Sequence, residues 1–257
     1  MYSEEQLRDS SPLEISYEEW MLRVQLAACY RVFSARGWIE EIFNHITVRV
    51  PGEAAHYLIN PFGLHYGEVT ARNLVKIDLT GEPVGSTAYP VNRAGFIIHS
   101  AIHGARPDAH CVIHTHHTAG VAVSCKKDGL KFNNFYSAIL HSRVSYHDFE
   151  GVTVHAAEQS RLVESLGQAN CLILRNHGLL VTGRSIAEAF YWNYVLQRAC
   201  EVQALSDAMG GPDLRLTDEA LAVSSRDFGL GDPDMYAKLF WGAVRRAGLT
   251  LQDLTRI

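Results

Sequence analysis

The chain has 257 residues, 47% of them hydrophobic and 20% charged, the balance of a globular protein able to bury a sizeable core in one or two domains. A formal net charge of -5 without any run of Lys or Arg argues against a nucleic-acid or anionic-membrane partner, while small anionic substrates stay open because local charge outweighs the total. Met1-Tyr2-Ser3-Glu4-Glu5 carries neither a basic nor an apolar leader, and no stretch approaches the roughly 18 consecutive apolar residues of a membrane span, so a cytoplasmic protein is expected.

In chain order, residues 1–16 are polar and hold Ser10-Ser11-Pro12, which predicts a loosely ordered lead-in. A helix follows over 17–36, with Trp20, Val24, Ala27, Ala28, Tyr30 and Val32 on its apolar side and Gly37 as its stop. Residues 46–50 and 56–59, bounded by Pro51-Gly52 and Asn60-Pro61, read as an antiparallel hairpin, and 74–79 as a further strand. Residues 95–105 form a helix on which His99 and His103 share a face; packing against polar neighbours accounts for that pair better than a metal site does.

Next comes Arg106–Ser124, RPDAHCVIHTHHTAGVAVS, in which Cys111-Val112-Ile113 favours a strand. Alternation sends Val112, His114 and His116 to one face and Cys111, Ile113 and Thr115 to the other. Two imidazoles then project side by side from a strand end, and their nitrogens can converge on a divalent ion at about 2 Å each. With 13 histidines in the chain a pair alone is weak evidence, and a third ligand is required. Residues 118–124 form a short helix behind His116. The stretch 125–148 lacks periodicity and is rich in aromatic and basic residues, which fits a lid over the site and a subunit interface equally well.

Residues 158–166 read as a helix, and Cys171-Leu172-Ile173-Leu174 as a buried strand running into Arg175-Asn176-His177-Gly178. If that strand lies beside the first, His177 reaches the same strand-end crevice and completes a three-histidine site with an open coordination position. A long helix over 185–209 stops at Gly210-Gly211-Pro212, residues 213–231 form a turn-rich tail placed to cross to another subunit, and 234–247 is a last amphipathic helix. Cys29, Cys111, Cys125, Cys171 and Cys200 include no C-x-x-C pair, and most sit in apolar runs, so reduced thiols are expected. Without repeats or linkers, the economical division is a lead-in (1–16), one domain (17–211) and a C-terminal extension (212–257) belonging to the same unit.

RPDAHCVIHTHHTAGVAVS followed by LILRNHGLLVTG resembles the class II aldolase/adducin family, closest to its adducin-like branch, over about residues 17–208. Phe43-Asn44-His45-Ile46-Thr47-Val48-Arg49, Leu58-Ile59-Asn60-Pro61-Phe62-Gly63, Asn92-Arg93-Ala94-Gly95-Phe96 and Tyr146-His147-Asp148-Phe149 carry the same likeness. The resemblance implies a three-layer α/β/α sandwich around a mostly antiparallel sheet, a fourfold-symmetric homotetramer, and a divalent ion, Zn foremost with Fe, Mn or Co as alternatives, on His114, His116 and His177. It implies a lyase that stabilises the enediolate left by C–C cleavage, and it matches Asn44 and Gly63 to groups that bind substrate phosphate in sugar-phosphate aldolases.

Two departures limit that reading. Phe62 replaces a phosphate-binding threonine and adds an apolar wall, and Arg93, Ala94 and Gly95 stand where the aldolases carry serine, serine and the acid/base glutamate. Arg93 is then a candidate for gripping an acidic substrate, and His65, Tyr136 or His141 for proton transfer. The resulting order of expectation is a metal-dependent lyase acting by retro-aldol cleavage or decarboxylation on an acidic or aromatic small molecule, then a non-heme Fe(II) oxygenase using the same three histidines, then a non-catalytic adducin-like interaction module.

Overall fold

The computed structural model describes residues 2–12, 14–52, 55–151, 156–228 and 232–256, with the backbone alone at 93–95 and 156. Its centre is a seven-stranded sheet made of β1 (His45–Arg49), β2 (His56–Ile59), β3 (Val75–Asp78), β4 (Cys111–Thr115), β5 (Val144–His147), β6 (Cys171–Leu174) and β7 (Gly178–Gly183). The order is β3-β2-β1-β4-β7-β6-β5, antiparallel throughout except for the parallel pair β5 and β6. The expected three-layer α/β/α fold with a mostly antiparallel sheet is therefore what the chain adopts.

Strand alternation divides the interior. Ile46, Val48, Cys111, Ile113, Cys171, Ile173, Leu179 and Val181 face one layer, where they pack with α2 (Tyr17–Ala35), α4 (Thr118–Ser124), α7 (Ile186–Met209) and α9 (Pro233–Arg246). Val112, Leu172, Leu174 and Leu180 face the other layer, formed by α3 (Arg93–Ala105) and α6 (Gln159–Leu166), which bring Ile98, Ile102, Leu162 and Leu166. In β1 the residues on this second side are His45 and Thr47, both buried. They meet His99 and His103 of α3, so one stretch of the layer between sheet and helix is polar where oil would be the default.

Several expectations change. The N-terminal lead-in contains α1 (Glu4–Ser10), because Ser3 and Gln6 form a reciprocal capping box and Leu7 is buried. The stretch 125–148 holds α5 (Phe135–Ile139), capped by Asn134, and the edge strand β5. Its period was masked by the short length of both elements. The turn-rich tail contains α8 (Asp218–Asp227), which folds back on α5 of its own chain, with Phe228 against Phe135 at 5.6 Å between ring centroids. Four of the five cysteines are buried as free thiols and Cys125 is exposed. Among the described residues no helix is long and apolar enough to cross a membrane.

Candidate metal centre

β4 lies between β1 and β7, and the site is built at its C-terminal end. The strand carries His114, buried, while His116 follows just beyond it. β6 is not the direct neighbour of β4, since β7 intervenes, yet His177 still arrives: it sits in the tight turn joining β6 to β7, opposite the end of β4. The turn explains the Asn-His-Gly sequence. Asn176 adopts φ +57°, a left-handed conformation that asparagine tolerates better than most residues, and its N–H donates to Ser124 O at 3.1 Å. Gly178 is required because a Cβ there would lie 2.5 Å from the carbonyl oxygen of Thr115.

One ring nitrogen from each of His114, His116 and His177 lies within 4.8 Å of the others. The rings of His116 and His177 stack at 4.9 Å, and the His114 ring stands nearly perpendicular to His116 at 4.4 Å. His114 Nδ1 donates to Leu179 O at 2.9 Å, because a carbonyl can only accept. That bond fixes the tautomer and leaves Nε2 bare, 2.8 Å from His116 Nε2. Burial holds His116 down at about 4, and burial with the neighbouring imidazoles holds His114 well below the ordinary histidine range. Burial also lowers His177, and Glu158 partly opposes it. Three neutral imidazoles, one already oriented by a backbone carbonyl, form a donor set that suits Zn or a similar divalent ion.

The other expected site residues are placed unevenly. Asn44 is buried at the centre, but its Oδ1 accepts the His116 N–H at 2.8 Å, so it positions the second histidine's backbone. Phe62 and Gly63 lie in the turn after β2, tied through the Phe62 N–H to Pro90 O at 2.9 Å. No ring contact or hydrogen bond joins them to the three imidazoles among the described residues. The Arg93 backbone opens α3, and its side chain lies outside the described residues. His65 caps a short helical turn, its Nδ1 accepting the Gly67 N–H at 3.0 Å. Tyr136 packs on Tyr194 under the Arg198 guanidinium, and His141 packs on Phe132, so neither joins the histidine cluster of this chain.

Three residues near the cluster were not singled out from sequence. His45 pairs with His114 across β1 and β4, with ring centroids 5.0 Å apart. Phe149 presents its edge to His177 at 6.2 Å. Glu158 is buried, sets the charge environment of His177 and lies 3.3 Å from His147 Nε2. Only His45 left a signal, since it falls in register with His114 once the two strands are paired.

The family model described as "Class II Aldolase and Adducin N-terminal domain" matches residues 24–204. A Pseudomonas aeruginosa protein provisionally described as an aldolase class 2 protein is 45% identical over 237 residues, 91% of each chain. Rat alpha-adducin is 48% identical over 211 residues, which cover 80% of this chain and 29% of adducin. Among solved structures, L-fuculose 1-phosphate aldolase from Glaciozyma antarctica superposes with a TM-score of 0.81 at 28% identity, over 98% of this chain and 99% of that one. The strand-borne histidine cluster and this extent of likeness agree: the chain belongs to the class II aldolase and adducin family.

Proposed function

We propose that the protein is a divalent-metal-dependent lyase that makes or breaks a C–C bond, by retro-aldol cleavage or decarboxylation, in an acidic or aromatic small molecule. The observation that carries this reading is the convergence of His114, His116 and His177 at one strand end, with His114 held in its Nδ1–H tautomer by Leu179 O. These residues would hold the ion, Zn in the first instance. A divalent ion there supplies Lewis-acid polarisation of a substrate carbonyl and stabilises the negative charge left when the C–C bond breaks.

The chain's own groups set the conditions. Asn44 fixes the backbone of His116, the Leu179 carbonyl orients His114, and Phe149 gives the cleft an apolar edge beside His177. The likeness to L-fuculose 1-phosphate aldolase supports the lyase class. Phe62 and Gly95, in place of phosphate-binding and acid/base groups, argue for a different substrate. Proton transfer by His65, Tyr136 or His141 gains no support from their places within one protomer. A cytoplasmic homotetramer completes the reading, and light scattering on the purified protein tests the oligomer.

The decisive experiment is elemental analysis of protein purified without added metal, followed by assays for aldehyde or CO₂ release from hydroxy-ketones and β-keto acids. About one equivalent of Zn or Mn per chain, lost in His177→Ala together with cleavage activity, is the expected outcome. An all-imidazole donor set also suits Fe(II), so stoichiometric iron with dioxygen uptake would establish an oxygenase instead. The likeness to alpha-adducin supports a third reading, an interaction module. Absence of metal, with every function intact in His114→Ala, would leave that reading standing.

A further inference from the structure

Behind the three-histidine cluster a line of buried polar groups runs from the sheet into α3. His45 Nδ1 lies 2.7 Å from His99 Nε2, His99 Nδ1 lies 2.6 Å from Thr47 Oγ1, Thr47 Oγ1 lies 2.7 Å from His103 Nε2, and His103 Nδ1 lies 2.8 Å from Ala109 O. All four side chains are buried, with His99 and Thr47 fully inaccessible. Every protonatable nitrogen along the line has a partner except His45 Nε2, which has no hydrogen bond among the described residues and belongs to the ring facing His114.

The direction of this line is set at its far end. Ala109 O can only accept, so His103 carries its proton on Nδ1. Burial keeps His103 neutral, so its Nε2 is bare and must accept the Thr47 hydroxyl proton. Thr47, having spent its only proton, accepts from His99 Nδ1–H, which leaves His99 Nε2 bare to accept from His45 Nδ1–H. Each link has one donor and one acceptor, and reversing any link puts two protons or two lone pairs face to face between buried side chains.

We infer that this relay locks His45 in the tautomer whose bare Nε2 faces the metal cleft, so that His45 accepts a hydrogen bond from a hydroxyl of the bound ligand and selects α-hydroxy carbonyl or α-hydroxy acid ligands over O-alkylated analogues. His45 is the specificity residue. Thr47, His99 and His103 act through it as positioning residues. The ligand preference rests on the metal-site reading above, whereas the tautomer order holds in metal-free protein, so the two fail separately.

The test is long-range ¹H–¹⁵N NMR of histidine-labelled, metal-free protein at pH 7, in wild type, Thr47→Val and Thr47→Ser. Nδ1–H tautomers at positions 45, 99 and 103 are expected in wild type and Thr47→Ser, with the order lost at 45 and 99 in Thr47→Val. An Nε2–H tautomer at His45 in wild type overturns the relay even if the Val variant fails to fold, and unchanged tautomers in a folded Val variant do the same. In Co(II)-loaded protein, titration of the d–d bands with glycolate and methoxyacetate should show glycolate bound about 3- to 10-fold tighter in wild type and Thr47→Ser, the yield of one neutral hydrogen bond. That preference should vanish in Thr47→Val. Equal affinities in wild type overturn the ligand assignment. Failure to load Co(II) is read from metal content and refutes the metal-site reading, with the tautomer spectra still deciding the relay.

Discussion

His103 offers a direct measurement of what a buried imidazole costs this fold. It is almost inaccessible, and burial lowers it from 6.5 to about 3, with Arg49 and His110 acting in the same direction and its bond to Ala109 O against it. The groups facing it are Thr47 and Arg49 of β1, Tyr57 of β2 at 4.5 Å between rings, and His99 one turn earlier on α3. Among the described residues no carboxylate joins them to favour the charged form. In the unfolded chain the same imidazole takes up a proton as pH falls through the ordinary histidine value. In the folded chain it does not, so unfolding binds one more proton and stability falls with falling pH, from about pH 6.5 downwards until the folded pKa near 3 is reached. Between pH 7 and pH 5 this amounts to about 2 kcal/mol from the one group. The comparison to make is metal-free wild type against His103→Gln, by urea unfolding at pH 7, 6 and 5. Glutamine can still meet Thr47 or Ala109 O but does not titrate, so the wild-type curve should drop more steeply by about 1 kcal/mol per pH unit between pH 6 and 5. Parallel curves would show that His103 gains its proton inside the fold, and the neutral state on which the relay depends would be lost with them.

Gly178→Ala should lower stability, because its Cβ would press on the backbone oxygen of Thr115, and should weaken metal binding of the folded protein by tenfold or more, about the loss seen when groups supporting metal ligands are altered, because the same Cβ crowds the His116 ring. Competition with a chromophoric chelator measures it, and unchanged affinity would contradict the packing. Asn44→Ala removes the acceptor for the His116 N–H and should lower Zn affinity about 10- to 100-fold with a stability loss of about 1–3 kcal/mol, read by the same chelator and by thermal unfolding. Glu19→Ala leaves the buried Arg23 without its 2.7 Å partner and should cost about 3–5 kcal/mol, whereas Arg8→Ala at the exposed Glu4 pair should cost far less. Similar losses in both would refute the burial argument.

The triad was legible because each part of it is a local pattern: an apolar run that fixes a strand, an alternation that fixes a face, and an Asn-His-Gly turn whose backbone demands are visible in the residue types. The condition set for His177, that its strand lie beside β4, is not met, and His177 reaches the site nonetheless. β7 follows β6 through a tight turn and itself pairs with β4, so that turn is delivered to the end of β4 whether or not β6 pairs there. The helices α1, α5 and α8 were harder, since each is at most 10 residues long and is set by its cap and by tertiary contact, without a sustained apolar period.

The relay was illegible for a different reason. His45 and Thr47 are two apart on a strand and His99 and His103 four apart on a helix, spacings that by themselves describe ordinary faces. Each pair read singly suggests a residue packed against something polar, and the something is the other pair. Only the pairing of β1 with β4, which sets His45 opposite His114, and the seating of α3 on that same side of the sheet turn two unremarkable spacings into one line ending at the metal cleft. A buried line of that kind is costly unless every member is satisfied. Here each donor finds an acceptor until the last nitrogen, and that nitrogen belongs to the ring opposite His114, where a ligand can complete the pattern.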